Sequence, residues 1–308
     1  MNVEFIYGTP NRPEFGQMFG GWFTEHNGQT FLIDCGVGTG GQSLVERLAG
    51  RLDGRKLDYV LLTHIHMDHA GGLKEIMKRW PDVKILTHEK GLRHLVSPER
   101  LWLSTREVMG ELAEMYGEPA PVARSSIIPH TEADLPGLAI FETPGHAPHH
   151  LSFRLGETMF AGEAGGCPYI LNGRLYNRPA TPPRYFPATT IRSIDVLLKE
   201  KECPAYFGHT HEMIPYHECL ELYRAQLLFW EDLLRRPESA RREDESASDH
   251  LERMTDSVFQ EDDNLKPLNA LPPVDLWRER YFMRNSVKGF LDYLAEEAGS
   301  GGTNNNAG

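Results

Sequence analysis

Several ingredients are scarce in this chain, and each scarcity removes a class of protein. No stretch approaches the roughly twenty consecutive apolar residues that a membrane-spanning helix needs, so no membrane partner is expected. The N-terminus, Met1-Asn2-Val3-Glu4-Phe5-Ile6-Tyr7-Gly8, lacks the cationic start and apolar run of a secretory signal, which leaves the cytoplasm as the default location. There are only four cysteines, Cys35, Cys167, Cys203 and Cys219, with no C-x-x-C spacing among them. That scatter offers neither a disulfide framework nor a cysteine zinc knuckle, so the expectation is buried thiols. Basic residues are outnumbered, 32 Lys and Arg against 44 Asp and Glu, giving a net charge of -12. A binder of nucleic-acid phosphates would carry a basic stripe instead, so no nucleic acid is expected as a partner. No internal repeat is visible.

What the chain does have is a dense histidine motif. The run Thr63-His64-Ile65-His66-Met67-Asp68-His69-Ala70-Gly71-Gly72 places three imidazoles and a carboxylate within six positions, directly after the apolar segment Leu57-Asp58-Tyr59-Val60-Leu61-Leu62. Neutral imidazole nitrogen and carboxylate oxygen are the donors that zinc, iron and manganese take. A helix would send positions 64, 66, 68 and 69 around its circumference, whereas a strand running into a tight loop aims them at one point.

The surrounding pattern reads as an α/β layered core. Phe19 to Glu25 and Gln29 to Asp34 form a hairpin about His26-Asn27-Gly28. The Gly-rich loop Cys35 to Gly41 has no P-loop Lys-Ser/Thr, so it is read as a turn from strand to helix, with nucleotide binding as the lesser alternative. Helices over 42–52 and 73–79 then alternate with strands over 57–62 and 83–87. A helical insertion follows at about 89–118, with Ser97-Pro98-Glu99 marking a helix start. Strands return at 138–142, 150–155 and 158–161, then a proline-rich loop from Arg178 to Pro187, a helix ending near Lys201 and a last strand at 204–207. Residues 1–212 thus read as one layered domain, 213–297 as a helical C-terminal region and 298–308 as a polar, glycine-rich disordered tail.

Further candidate ligands sit after the later strands. His146 closes Glu142-Thr143-Pro144-Gly145-His146, Glu163 follows Met159-Phe160-Ala161-Gly162, and His209 opens Gly208-His209-Thr210-His211. This order of motifs, over roughly residues 1 to 212, resembles the metallo-β-lactamase fold superfamily, with His64, His66, Asp68 and His69 as H-x-H-x-D-H, then Pro-Gly-His, Gly-Glu in place of the usual Gly-Asp, and Gly-His. Within it the chain is most similar to uncharacterised hydrolase-like members with Thr-Pro-Gly-His-Ala-x-His-His, near the glyoxalase II and lactonase branches.

The resemblance implies an αββα sandwich with its ligands on loops at one edge. His64, His66 and His146 would hold one metal and Asp68, His69 and His209 a second, with Glu163 bridging and Asp34 orienting a ligand histidine from behind. Glutamate for aspartate adds about 1.5 Å of reach, so bridging, binding one metal only and swinging away all stay open. The implied cofactors are two divalent ions, zinc first, iron or manganese as alternatives. The implied chemistry is hydrolysis by a metal-bound hydroxide oriented by Asp68, acting on a small ester, thioester or lactone. A phosphodiesterase and a non-catalytic metal-binding or sensor protein are the alternatives.

Other conspicuous residues take blander readings. His88, His149, His150 and His211 are expected to be packed or surface histidines, one of the 149–150 pair lying behind the ligands as the sharper reading. Tyr169, Tyr176 and Tyr185 are read as packing anchors in the loop after Glu163, with a substrate wall as the alternative. The C-terminal helices, bearing Trp277, Tyr281, Phe282, Phe290 and Tyr293, are expected to pack on the core or on a second copy as a homodimer, or to form a lid.

Overall fold

The computed structural model describes residues 2–182 and 185–301. Its twelve strands are β1 (Val3–Tyr7), β2 (Gly20–His26), β3 (Gln29–Ile33), β4 (Tyr59–Leu61), β5 (Lys84–Thr87), β6 (Ile127–Pro129), β7 (Leu138–Glu142), β8 (Leu151–Leu155), β9 (Thr158–Gly162), β10 (Cys167–Leu171), β11 (Arg174–Arg178) and β12 (Ala205–Phe207). The helices are α1 (Gly41–Leu52), α2 (Met67–Ala70), α3 (Leu73–Arg79), α4 (Glu89–Val96), α5 (Glu99–Met109), α6 (Ala113–Tyr116), α7 (Pro187–Leu197), α8 (Tyr216–Arg235), α9 (Ala247–Glu261) and α10 (Pro273–Gly301).

One sheet runs β1-β2-β3-β4-β5-β6 and a second runs β12-β9-β8-β7, with β10 and β11 as a separate hairpin. The first begins with β1 antiparallel to β2, and β2 forms an antiparallel hairpin with β3 whose turn residues, Asn27 and Gly28, both take positive φ, 49° and 75°, as an Asn-Gly turn requires. From β3 to β6 it is parallel, so each strand needs a crossover, and α1, α3 and the helical insertion supply them.

Alternation along the strands builds the layers. Phe31, Ile33 and Leu61 face inward against Leu151, Phe153, Leu155 and Phe160 of the second sheet. Leu32 and Val60 face outward, where Leu44, Leu48, Leu73 and Ile76 of α1 and α3 cover them. Met159 and Ala161, on the outer face of β9, meet α7, α8 and the helices that follow. Helix, sheet, sheet, helix is therefore the order of layers, as expected of an αββα sandwich. Trp22 stitches the two sheets at one edge, donating Nε1–H to the Phe207 carbonyl at 2.8 Å.

Several elements are not legible in the sequence. The short strands β1 and β6 and the hairpin β10–β11 lie outside the segments expected from it, whereas α9 falls within the expected helical region 213–297. Tyr169 and Tyr176 are therefore not loop residues; they are cross-strand partners with ring centroids 6.1 Å apart. Pro98, expected in a first helical turn, stands at the N-cap of α5 without a capping hydrogen bond. The expected tail is corrected at its start, since α10 runs to Gly301; residues 302–308 lie outside the described residues. No helix among the described residues is long and apolar enough to cross a membrane.

The C-terminal helices pack onto the core around one buried carboxylate. Asp262 accepts from Gln226 Nε2 at 2.7 Å, Trp230 Nε1 at 2.8 Å and the Asn264 amide at 2.9 Å. Removing it strands two buried side-chain donors, each with an unmet hydrogen bond. Asp262→Ala should lower stability by about 3 kcal/mol in urea unfolding, while metal content stays that of the unaltered protein.

Candidate metal centre

Every candidate ligand lies just past a strand end, which is what gathers them at one edge of the sandwich. His64 and His66 follow β4, Asp68 and His69 ride on α2, His146 follows β7, Glu163 follows β9 and His209 follows β12. The loops are pinned to one another by backbone hydrogen bonds, Leu151 to the Thr63 carbonyl at 2.7 Å and Gly208 to the Gly162 carbonyl at 2.8 Å. Gly162 admits no side chain, because at φ +57° a Cβ there would fall 2.6 Å from His150 Nε2. Asp34 and His209 also take left-handed backbone, φ 60° and 62°, a strain that tends to concentrate at functional sites.

Two triads result. His64, His66 and His146 could hold one ion and Asp68, His69 and His209 another. His66 Nδ1 lies 2.9 Å from His146 Nε2, and His69 Nε2 lies 3.2 Å from His209 Nε2. Glu163 sits between the triads. Its Oε2 is 2.9 Å from His146 Nε2, 3.3 Å from His69 Nε2 and 3.4 Å from His64 Nε2, and its Oε1 is 3.6 Å from His209 Nε2. Of the readings left open for Glu163, the geometry has the carboxylate facing both triads.

Hydrogen-bond partners assign the tautomers, and the tautomers test the fit to a metal. His69 Nδ1–H donates to Asp34 Oδ2 at 2.8 Å, and His146 Nδ1–H donates to the Ala180 carbonyl at 3.1 Å. Thr63 Oγ1 donates to Asp34 Oδ2 at 2.7 Å, which frees it to accept from His64 Nδ1–H at 3.1 Å. In each ring Nε2 is left with a bare lone pair aimed at the centre. His64 Nε2 and Glu163 Oε2 are buried with no hydrogen-bond partner among the described residues. Lone pairs facing lone pairs and a carboxylate repel unless positive charge lies between them, so the residues fit divalent ions.

Without an ion that charge comes from protons. Burial works against a charged His69, yet Asp34, Asp68 and Glu163 outweigh it and hold its pKa well above the usual value. His146 is likewise raised against burial, by Glu163 and the Ala180 carbonyl. Burial resists ionising Glu163, but His146, His209 and His69 pull it well below the carboxylate range. Burial drives His64 well down and takes His66 to about 4.

A further group of metal-ligand types, His88, His130 and Glu142, fails the same tautomer test. His88 Nδ1 accepts from the Lys90 amide at 3.0 Å and His130 Nδ1 from the Glu89 amide at 3.2 Å, so both carry hydrogen on Nε2, facing Glu142 at 3.4 and 3.2 Å. They clamp the start of α4 and leave no lone pair for a metal. His211 lies apart from the triads, stacked on Phe5 at 4.4 Å and donating to the Gln17 carbonyl at 2.8 Å.

The bland reading of His150 needs correction. It is fully buried, its Nδ1 bonded to Thr143 Oγ1 at 2.8 Å, and its Nε2 accepts the Glu163 amide at 3.0 Å, fixing the backbone that presents the carboxylate. Its neighbour His149 borders His66, ring centroids 5.9 Å apart, with Nδ1 buried and without a partner among the described residues. Cys167 is buried as expected, and its thiol donates to Glu163 Oε1 at 3.3 Å. Thr63 is absent from the candidates read from sequence, because a hydroxyl before a ligand histidine carries no signal of its own.

A family model described as the metallo-beta-lactamase superfamily matches residues 22–200. A metallo-beta-lactamase fold-containing protein of Sulfurisphaera tokodaii is 30% identical over 213 residues, 66% of this chain and 76% of that protein. A hydroxyacylglutathione hydrolase of Buchnera aphidicola is 27% identical over 154 residues, so this chain spans 50% of its length and is itself covered to 49%. Among solved structures, an archaeal metallo-beta-lactamase superfamily protein of Sulfolobus tokodaii superposes with a TM-score of 0.66 at 22% identity, covering 94% of this chain and 98% of that one. A metallo-beta-lactamase family protein of Thermus thermophilus gives 0.60 at 20% identity, covering 96% and 94%.

The tautomers carry two predictions. Asp34→Ala, by freeing His69 to rotate, should weaken metal binding about 10–100-fold in a chelator competition. Raised pKa values at His69 and His146 let protons compete above the pH at which an ordinary histidine titrates, so metal content after dialysis should fall as pH is lowered through neutrality, with protons released on loading.

Proposed function

The chain belongs to the metallo-β-lactamase superfamily, and on that premise we propose that it is a metal-dependent hydrolase of a small ester, thioester or lactone. The observation that carries the reading is the convergence of bare Nε2 lone pairs from His64, His69 and His146 on Glu163. His64, His66 and His146 would hold one divalent ion, Asp68, His69 and His209 a second, and Glu163 would serve both. Zinc suits this nitrogen and oxygen set, which iron and manganese also accept. When bound, such a pair lowers the pKa of a shared water toward neutrality and polarises the scissile carbonyl.

The chain's own residues supply the rest. Asp68 is the open carboxylate of the centre, its side chain 20% exposed against 6% for Glu163. It is therefore the group that can accept a hydrogen bond from the attacking water and carry its proton toward the leaving group. Asp34 and Thr63 hold His69 and His64 so that neither ring turns during turnover. Burial, then Asp68, pushes the Tyr116 phenol well above its ordinary range, and its ring lies 6.0 Å from that of Phe19. Phe15, Met18, Phe19 and Met115, with Tyr281 and Phe282 from α10, form an apolar wall that reaches His209 through the edge of Phe19, centroids 5.9 Å apart. Such a wall excludes bulk water and favours an apolar acyl or leaving group. The Buchnera relative's name, hydroxyacylglutathione hydrolase, states cleavage of a thioester and supports a thioester among the substrates to be tried.

Protein purified without added metal should carry two ions per chain by inductively coupled plasma mass spectrometry, and a panel of esters, thioesters and lactones should be turned over in preference to bis-p-nitrophenyl phosphate. His66→Ala and Asp68→Ala should each lower kcat/KM by at least about 10³-fold in a protein that stays folded by circular dichroism. Metal bound without turnover on any member would favour a binding or sensor protein, and preference for the phosphodiester would favour that alternative.

A further inference from the structure

The hairpin after Glu163 brings one charged side chain to the centre that metal binding leaves without a task. Arg178 is paired directly with Cys167 across β10 and β11, and such partners project from the same face of a hairpin. The Cys167 thiol touches Glu163 Oε1 at 3.3 Å, so Arg178 projects from the hairpin face that meets the carboxylate between the triads.

Arg178 is only 6% exposed. Its Nε–H donates to Glu279 Oε2 at 3.0 Å, an oxygen that also accepts from Tyr176 Oη at 2.8 Å. The Phe282 ring lies 4.8 Å from the guanidinium carbon. A guanidinium has five N–H donors, and here the four on Nη1 and Nη2 meet no acceptor among the described residues. Neither Nη1 nor Nη2 is among the buried atoms left without a partner, so the fork keeps contact with solvent while only the Nε edge is committed to Glu279. With Nε clamped from one side and Phe282 alongside, the fork is held rigid with its two ends unclaimed.

We propose that Arg178 anchors a carboxylate of the substrate, so that the preferred ester, thioester or lactone carries an acid group at the end remote from the scissile bond. This rests on the hydrolase reading above. A carboxylate matches the planar fork through two parallel hydrogen bonds. Glu279 already balances one unit of charge, so a monoanion is better accommodated in this buried place than a phosphate dianion.

The test compares, on the metal-loaded protein, the N-acetylcysteamine thioester of glutarate with the same thioester whose far carboxylate is a methyl ester. The acid should be preferred about 10–100-fold in kcat/KM, mostly through KM. Equal rates, or preference for the methyl ester, would overturn the anchor while leaving the hydrolase reading intact. In the double variant Arg178→Met/Glu279→Gln, which removes both buried charges together to preserve folding, the preference should collapse toward one. A preference that survives in that variant would also overturn the assignment. If no thioester, ester or lactone is hydrolysed, the hydrolase reading fails by itself, and calorimetric binding of glutarate against dimethyl glutarate still decides the anchor. Glutarate bound selectively by the unaltered protein and not by the double variant supports it, and no selectivity refutes it.

Discussion

Asp34 accepts from the Thr63 amide and hydroxyl and from His69 Nδ1, and the rest of the centre depends on that one buried carboxylate. Through Thr63 it also sets His64, so a single side chain at the end of β3 fixes the proton positions of two rings in opposite triads. Because their Nδ1 atoms are committed as donors, their Nε2 lone pairs have nowhere to point but inward. The electrostatic demand for a cation is thus written by residues that would never touch one.

The layered fold makes this arrangement easy to hold. The parallel strands of the first sheet end together, and the second sheet abuts the same edge, so loops from both meet without long excursions. His150 works for the second sheet as Asp34 works for the first, taking the Glu163 amide from a position fixed by Thr143. The longer glutamate is accommodated where Gly162 gives up its side chain to His150, which lets both carboxylate oxygens reach toward a triad.

Much of this is legible in the sequence, and the reasons differ by residue. The six histidine and aspartate positions announce themselves because a metal demands particular atoms, and those atoms occur in few side chains. Strands β3, β7 and β8 stand out through alternation, and α3 through its period. The hairpin β10–β11 does not, since Cys167-Pro168-Tyr169 carries a proline at its second position and ordinary strand signals are blurred there. His150 is easily undervalued because its role lies in accepting one backbone hydrogen, a relation set by three-dimensional placement. Arg178 reads as the first residue of a proline-rich loop, and nothing in its neighbours discloses Glu279, which follows 101 positions later.

That long separation has a consequence for the order in which the protein becomes competent as it is made. The candidate ligands all lie between positions 64 and 209, whereas Glu279, Tyr281 and Phe282 come from α10, which is synthesised well after them. A nascent chain would therefore possess its ion-binding groups while the wall and the clamp on Arg178 were still missing. The candidate ligands would be assembled first and the surroundings of Arg178 later, so a chain cut short within α10 would keep the former without the side chains that close over Arg178.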